Sequence, residues 1–325
     1  MVRQLLARGY TVRASVRDLA NAAKVDPLRR AGNGLPGRLE LFEADLLRPR
    51  SFDEGGAAGG EADYGGPGEG RTMTRLVDDL GHPVALSGPP RRIVSLVPSL
   101  TEALAVTVPE RLIGVTDWCS HPPGLDRTRV RGTKNPDRAA IAALQPDLVV
   151  ANREENRRLD VERLRAAGLS VWVTVIESLD DALRSMRRLF VDVLAVDEPA
   201  WLRDAAAQWA LPAPEPRLRV VVPVWRDPWM VVGSSTFTGD VLARLGLDNG
   251  FGSSAERYPR VELDDVRAVD ADVVLLPDEP YLFTADDGPE AFPGRRTVLV
   301  SGRLLTWYGP SLAVARSQLL TSIRG

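Results

Sequence analysis

The sequence predicts an α/β protein made of two similar lobes joined by a helical segment and preceded by a short, incomplete α/β fragment. Two observations predict this division. A glycine-rich stretch at 55–72 separates a short N-terminal piece from a long C-terminal one. Within the long piece, the pattern of 142–155 (helix end, aspartate, apolar run, acidic loop) returns at 267–280. Continuous apolar strands of this kind are typical of parallel sheets covered on both faces, so each copy predicts one lobe.

The composition excludes several classes of protein. The chain has 325 residues, of which 44% are hydrophobic and 26% charged, and its formal net charge is −3. The apolar fraction can fill two domain cores, whereas the slightly acidic balance is unsuited to binding nucleic acid. A single cysteine forms no internal disulfide. No apolar run approaches the ~20 residues that span a bilayer, and no signal-peptide core opens the chain, so we expect a cytoplasmic monomer.

The N-terminal piece, residues 1–54, alternates helix and strand in the order α-β-α-β, as in the middle of a doubly wound sheet. Eight glycines at 55–70 then predict a flexible linker. The predicted helices are 2–6 and 19–31, and the predicted strands are 11–16 and 39–45.

The first lobe is predicted over 73–177. A hairpin at 76–86 precedes alternating strands and helices, which favour βαβ units and a parallel sheet. The predicted strands are 92–96, 112–115, 147–151 and 169–174. One predicted helix begins at Ser99 or Thr101, and two further helices cover 137–144 and 159–167.

A helical segment at 178–214 joins the lobes, because apolar residues recur there at helical spacing and Pro199 predicts a break or a restart. The second lobe covers 215–325. The overall prediction is two Rossmann-like α/β lobes joined by a long backbone helix. The predicted strands of the second lobe are 219–224, 273–276 and 297–300, and its final helix is 311–323.

Several segments of the long piece are similar, in order, to one known family. They are 90–102, 132–136, 145–152, 236–240 and 307–310. On these motifs, residues 73–325 resemble the helical-backbone substrate-binding proteins of ABC importers, which are receptors for cobalamin, haem and ferric siderophores. The resemblance implies a metal-chelate ligand in the cleft at the carboxyl ends of the strands, no catalysis and no covalent cofactor. It also implies an ABC permease and ATPase as partners, and relatives that lie outside the cytoplasm.

Residues 1–54 resemble a truncated part of an extended short-chain dehydrogenase/reductase, around Arg13–Asp18 and Ala44–Leu46. The family's glycine-rich turn, which holds the cofactor pyrophosphate, would precede Val2, and its Tyr-x-x-x-Lys pair is absent. The resemblance therefore implies a remnant, with Met73 as an alternative start. An NAD(P)-dependent reductase or epimerase is the alternative function that this fragment suggests.

Aromatic residues recur on the loops that follow predicted strands, in a chain that is only 6% aromatic. Flat rings with a polar edge suit a large planar ligand such as a corrin or a porphyrin. In the cobalamin receptors an aromatic residue at the position of Trp118 lines the pocket, and the resemblance implies the same here. The candidate rings are Trp118, Trp225, Trp229, Tyr281, Trp307 and Tyr308.

Polar residues on the same loops complete the candidate ligand site, and several keep a structural alternative. Ser99 fits a ligand contact or a helix N-cap, with Glu102 completing a capping box. Lys134 and Glu155 fit cleft groups or solvated charges. The polar candidates are Ser99, His121, Lys134, Glu155 and Glu279.

A metal-dependent enzyme using Cys119, His121 and an acid is a third hypothesis. Both side chains are acceptable metal ligands, but together they are only half of a zinc site. The other histidine, His82, falls on a predicted hairpin turn. The sequence therefore predicts no resident metal and no catalytic residue. Arg153 and Arg226 are placed to serve an anionic ferric siderophore.

The positions expected to dock on a permease depart from the family pattern. Relatives usually carry one acidic residue on the upper surface of each lobe. The register places Ala139 and Gly309 there, with Asp137 close to the first. Docking through paired acids is therefore not predicted for this chain.

Overall fold

The computed structural model describes residues 12–16, 25, 29–30, 33–34, 36, 38–43 and 76–325. Met1–Thr72 and Met73–Gly325 form two compact units. The predicted linker at 55–72, the predicted helix at 2–6 and Met73 lie outside the described residues. Within the described part of the chain, no helix combines the length and the apolar character needed to cross a bilayer.

The first unit contains a pair of parallel strands, β1 (Val12–Val16) and β2 (Leu39–Glu43), with Val12 opposite Leu39. Val25, between them in the chain, is helical and buried. Parallel neighbours need a crossover. Of the predicted helix at 19–31, the described residues Val25, Arg29 and Arg30 are helical. Both predicted strands are confirmed.

The first lobe of the second unit is built on a five-stranded parallel sheet. The strands of the whole lobe, including two short hairpins outside this sheet, are β3 (Leu76–Val77), β4 (Pro83–Val84), β5 (Ile93–Ser95), β6 (Leu112–Val115), β7 (Thr128–Arg129), β8 (Arg131–Gly132), β9 (Asn135–Pro136), β10 (Leu148–Asn152) and β11 (Val171–Thr174). The sheet order is β11-β10-β5-β6-β7. The buried central strands β5 and β10 are predicted by their apolar runs. The predicted hairpin is β3–β4, whereas the two-residue strands of β8–β9 are too short to show a pattern.

The helices of this lobe are α1 (Pro98–Thr107), α2 (Arg138–Ala143) and α3 (Arg158–Ala166). Val97 is the N-cap of α1 and makes no side-chain capping bond. Because proline has no N–H to satisfy, Pro98 suits the first helical position and the helix starts early. Ser99 therefore lies inside the first turn, and the predicted capping box of Ser99 and Glu102 is wrong.

Two helices connect the lobes. α4 (Leu179–Arg187) continues as a π-helical turn to Val193, and α5 (Ala200–Trp209) follows directly after Pro199. The restart predicted from Pro199 is confirmed, so the connecting backbone is helical but interrupted. The hydroxyl of Ser178 caps α4 by accepting the N–H of Asp181 at 3.1 Å.

The second lobe has a four-stranded parallel sheet. The strands of the whole lobe, including the separate pair β13–β14, are β12 (Leu218–Val221), β13 (Pro223–Trp225), β14 (Met230–Val231), β15 (Leu247–Asn249), β16 (Val273–Pro277) and β17 (Thr297–Val300). Its helices are α6 (Phe237–Arg244), α7 (Leu263–Ala268), α8 (Gly302–Thr306) and α9 (Leu312–Arg324). The sheet order is β15-β12-β16-β17. The strand predicted at 219–224 is two strands, because Pro223 has no N–H for the ladder of β12 and β13 instead pairs with β14.

The repeated aspartates have the same structural role in both lobes. The carboxylate of Asp147 accepts the backbone N–H groups of Arg91 and Arg92 at 2.8 and 2.9 Å, just before β5. The carboxylate of Asp272 accepts the N–H of Arg219 in β12 at 2.6 Å. Each aspartate fixes the register of a central strand on its neighbour, so the sequence repeat is a structural repeat.

One apolar cluster extends through both lobes and the helices between them. It includes Leu100 and Trp172 of the first lobe, Phe190 of the connection, and Leu242 and Leu275 of the second lobe, all fully buried. Smaller clusters cover the other face of each sheet. The two lobes therefore share a core.

Candidate functional site between the lobes

Loops that follow the strands of the two lobes meet between the sheets. Gly309 packs so closely on α1 that an added Cβ would stand 2.8 Å from the carbonyl oxygen of Ser99. The rings of His121 and Trp307 meet edge to face with centroids 5.4 Å apart. Both contacts join one lobe to the other at the carboxyl ends of the strands, where open α/β sheets bind ligands.

Tyr308 is the most enclosed of the candidate aromatic residues. Its side chain is 6% exposed, and its ring lies edge-on to Phe237 with centroids 5.7 Å apart. Its buried hydroxyl makes no hydrogen bond of ordinary geometry with the described residues, although the side chain of Ser99 lies close enough to act on its pKa. Burial raises the pKa of this phenol well above its ordinary value, and the charge of Glu155 acts in the same direction while Ser99 opposes it. Native proteins ordinarily satisfy such a buried group with water or a ligand.

Two carboxylates stand at the ends of equivalent strands. Glu155 follows β10 and Glu279 follows β16. Burial raises the pKa of both, and Lys134 opposes the shift at Glu155. At Glu279, the neighbouring charges of Asp278 and Glu155 add to the shift. One carboxylate oxygen of Glu279, Oε1, is buried without a hydrogen-bond partner in the described part of the chain.

These groups form one cluster, which we call the inner cleft: Ser99, Glu155, Tyr258, Glu279 and Tyr308. Glu155 acts on the pKa of Tyr258, Glu279 and Tyr308, which places all four within electrostatic reach across the lobes. Burial is the largest cause of the raised pKa of Tyr258, and the charge of Glu154 adds to that shift. No sequence signal points to Tyr258, because it follows no predicted strand.

A close backbone approach holds the loop that carries Glu279. A Cβ added to Gly302, the first residue of α8, would lie 2.5 Å from both Cγ and the carbonyl oxygen of Glu279. The N–H of Gly302 donates to the carboxylate of Asp278 at 2.6 Å. Only glycine fits this position without displacing Glu279.

Two arginines of the second lobe bind carboxylates of the first. Arg257 donates to Glu154 at 2.6 Å and also to Glu177. Arg303 binds Glu102 through Nη2 and, at 3.4 Å, through Nε. The Glu102 side chain is only 6% exposed. The Arg257–Glu154 and Arg303–Glu102 pairs leave no local sequence signal, because the partners are 103 and 201 residues apart in the chain.

The loop after β6 places Trp118 and Cys119 in opposite environments. Trp118 is 68% exposed, and its Nε1 lies 3.1 Å from where a Cβ on Gly132 would stand. Cys119 is fully buried, and its Sγ hydrogen-bonds the hydroxyls of Thr101 and Thr116 at 3.0 and 3.1 Å. Burial raises the pKa of the thiol. Among the described residues, no three His, Cys, Asp or Glu side chains are grouped to hold a metal ion.

The remaining aromatic candidates form a separate group in the second lobe. Trp225 is 42% exposed and lies edge-on to Tyr281, whose hydroxyl donates to Asp287 at 2.6 Å. Trp229 is 7% exposed and stacks on Phe283 with centroids 6.1 Å apart. The ring of Trp225 therefore has open surface, whereas that of Trp229 packs in the lobe's apolar cluster. Their ligand contacts stay predictions.

Seven of the predicted site residues lie near one another at the junction of the lobes, some in ring contact and others close enough for one charge to act on a neighbour's pKa. Ser99 adjoins Tyr308, His121 adjoins Trp307, and Lys134 acts on Glu155. Trp307 in turn lies close enough to Glu279 to lower the pKa of that carboxyl group. The seven residues are Ser99, His121, Lys134, Glu155, Glu279, Trp307 and Tyr308.

Solved structures show which fold this is. The chain is similar to the periplasmic vitamin B12 binding protein of Vibrio cholerae, with a TM-score of 0.60 and 20% identity over 73% of this chain and 97% of that one. It is equally similar to the periplasmic haem-binding protein of Roseiflexus sp. RS-1, with a TM-score of 0.61 and 21% identity over 72% and 98%. The chain thus has the two-lobed fold of periplasmic substrate-binding proteins, as its motifs predict.

Curated sequences point to particular relatives. A vitamin B12-binding protein of Salmonella typhi is 29% identical over 200 residues, which cover 60% of this chain and 74% of the relative. A vitamin B12-binding protein of Pectobacterium carotovorum is 26% identical over 203 residues, covering 59% and 72%. No family model matches the sequence. The likeness of residues 1–54 to a dehydrogenase/reductase stays a prediction.

Proposed function

We propose that this chain is a non-enzymatic binding protein that holds a metal chelate of the corrinoid, haem or ferric siderophore type between its two lobes. The named relatives are binding proteins for vitamin B12 and for haem. The proposed ligand contacts are the inner cleft together with His121, Trp307 and Lys134, and we include the exposed rings of Trp118 and Trp225 as further candidate contacts.

The observation that carries the proposal is the unpartnered hydroxyl of Tyr308. It is buried at the junction of the lobes, next to Ser99 and under the influence of Glu155. A buried donor without a partner costs about 1–3 kcal/mol. A bound ligand that hydrogen-bonds this hydroxyl would remove that cost, which supports a binding site at this junction.

The family resemblance implies delivery to an ABC importer, and we include an importer in the proposal as the partner. The family's second docking acid has no counterpart here. Gly309 is buried against Ser99 with no room for a side chain, and Asp137 caps α2 by accepting the N–H of Ala140 at 3.0 Å. Docking therefore uses other surface residues of the two lobes.

The test is binding in solution. The purified full chain is incubated with cyanocobalamin, haemin or ferrichrome and passed through a gel-filtration column, and visible absorbance is followed in the protein peak. We expect at least one of the three chelates to comigrate with the protein in about equimolar amount. Absence of all three would overturn the proposal.

Site variants locate the binding. Tyr308→Phe removes only the hydroxyl, and we expect it to weaken the bound chelate about fivefold, as loss of one hydrogen bond would. Leu299→Ala, on the exposed side of β17, is the matched control and should bind as the parent chain does. Equal affinity of Tyr308→Phe and the parent would place the ligand elsewhere.

A further inference from the structure

We propose that the first lobe contains a second binding site, for a small organic anion that joins a phosphate or carboxylate group to an apolar body. The site is a cavity of about 660 Å³ between the turn of the β3–β4 hairpin, the carboxyl end of β10 and α3. Of the described residues that line it, none belongs to the second lobe or to the inner cleft. The inference is therefore independent of what the protein binds between its lobes.

One face of α3 forms a wall of the cavity, because its lining residues recur at spacings of three and four. Those residues are Arg158, Val161, Glu162 and Arg165. Leu80 of the hairpin turn and Val173 of β11 add apolar surface. A volume of this size, with apolar walls and a few charged groups, is ordinary for a site that encloses a small molecule.

The charged groups of the cavity are mainly cationic. Among the described residues that line it, three arginines, Arg153, Arg158 and Arg165, stand against one carboxylate, that of Glu162. The lining thus carries an excess of positive charge at neutral pH, which favours an anionic ligand. Guanidinium groups suit phosphate and carboxylate in particular, since each can donate two parallel N–H bonds to such a group.

Arg165 is fixed in position and only partly satisfied. Its Nη2 donates to the fully buried carboxylate of Asp78 at 2.5 Å. The same carboxylate accepts the backbone N–H groups of Leu80 and His82 at 3.0 and 2.8 Å, so the guanidinium and the hairpin turn are held together. Nε of Arg165 is buried and has no hydrogen-bond partner in the described part of the chain. Buried donors in native proteins ordinarily have a partner, which supports an anionic group at this guanidinium.

The other two arginines are weakly committed to their partners. Arg158 binds Glu162 at 2.6 Å, one turn along α3, and both side chains are exposed. An exposed pair of this kind contributes little, so a ligand anion can replace the glutamate. Arg153 binds Glu177, which also binds Arg257, so one carboxylate is divided between two guanidinium groups.

The two asparagines of the lining shape the wall. Oδ1 of Asn156 accepts the backbone N–H of Asn152 at 2.9 Å, and Nδ2 of Asn156 donates to the carbonyl oxygens of Leu96 and Thr133 at 3.1 and 3.0 Å. These buried amide bonds fix the loop after β10, from which Arg153 projects. Recognition of the ligand therefore falls to the guanidinium groups.

The experiment compares anionic and neutral probes with the same ring. The purified full chain is titrated with phenyl phosphate, with benzoate and with neutral benzyl alcohol, and binding is followed by ligand-observed NMR. We expect at least one anion to bind at a single site at least tenfold more tightly than benzyl alcohol, and the tighter anion identifies the group that the site takes. Failure of both anions to bind, or equal binding of benzyl alcohol, would overturn the proposal.

Variants on α3 locate the anion. Arg158→Gln should weaken its binding at least threefold, whereas Glu162→Gln should strengthen it, because the competing carboxylate is gone. Arg163→Gln makes the same change of charge on the same helix at an exposed residue outside the cavity lining, and should bind as the parent chain does. Equal weakening by Arg158→Gln and Arg163→Gln, or no response to Arg158→Gln and Glu162→Gln, would overturn the assignment of this cavity.

Discussion

At the scale of single residues, the folded environment at the junction of the lobes disfavours the charged form of two carboxyl groups, Glu155 and Glu279. Glu279 is the clearest example, because burial, Asp278 and Glu155 raise its pKa while Trp307 and Arg303 lower it by less. A carboxyl group whose pKa rises on folding stabilises the fold below the ordinary pKa of 4.5 and loses that contribution as the pH rises through the folded pKa. At neutral pH the charged form therefore costs stability, which is consistent with a site kept for a ligand.

Glu279→Gln should stabilise the unliganded protein at pH 7, because the variant buries no charge. We expect Tm to rise by about 2–3 °C, or about 1 kcal/mol for a domain of this size, and the gain to shrink as the pH falls toward 4.5. Thermal denaturation of variant and parent from pH 4.5 to 7 measures it. A Tm that falls at pH 7, or a gain that is constant with pH, would contradict the assignment.

Cys119 gives a second prediction at this scale. Because its thiol is buried and its pKa raised, we expect the native protein to react with a thiol reagent at pH 8 roughly a hundredfold more slowly than the denatured protein. The chain has one cysteine, so the readout has a single source. Rapid labelling of native protein would show that Cys119 is accessible and restore it as a candidate site residue.

At the scale of elements, Glu102 in the middle of α1 and Arg303 at the start of α8 join the two helices. The pair links the first lobe to the second, and the guanidinium of Arg303 also lies 5.7 Å from the centre of the Trp307 ring. The contact fixes α8, and with it the segment that carries Trp307 and Tyr308. Its strength follows from the burial of Glu102, since an exposed pair contributes little.

Arg303→Gln should destabilise the protein by about 2 kcal/mol, because it leaves the buried carboxylate of Glu102 unpaired. The double variant Glu102→Gln with Arg303→Gln should recover part of that loss, since no buried charge remains. Urea unfolding of both singles and the double completes a double-mutant cycle. Additive effects would show that the two residues do not interact.

At the scale of the whole molecule, the shared apolar cluster makes the two lobes of Met73–Gly325 one cooperative structure. Leu100 in the first lobe and Leu242 in the second are both fully buried in that cluster. The core runs through α4 and α5, so neither lobe can open to solvent without exposing side chains that pack on the other. We expect both lobes to unfold in one transition.

Leu100→Ala and Leu242→Ala test this cooperativity. Each should cost about 2–5 kcal/mol and shift the same calorimetric transition to lower temperature. Val314→Ala, on an exposed face of α9, serves as the control with little expected effect. Two transitions, each moved by only one of the core variants, would show that the lobes unfold independently.

Local chemistry explains what could be predicted. β10 and β16 are predicted because buried parallel strands need unbroken apolar runs. The aspartates before them recur in the sequence, and the structure adds that each bonds the adjacent strand. Glu155 and Glu279 were found because they follow those strands. In contrast, Trp225 and Trp229 lie four residues apart with the same sequence signal, yet one is exposed and the other is packed on Phe283.

The sequence by itself determined the α/β class, the repeat, the strand ends that hold the candidate site and the likeness to substrate-binding proteins, because these depend on periodicity and short motifs. Only the tertiary structure decided that Glu102 binds Arg303 rather than capping α1, that Arg257 pairs across the lobes and that Tyr308 is buried without a partner. Pairing and burial depend on residues more than a hundred positions away, whose approach leaves no local pattern in the chain.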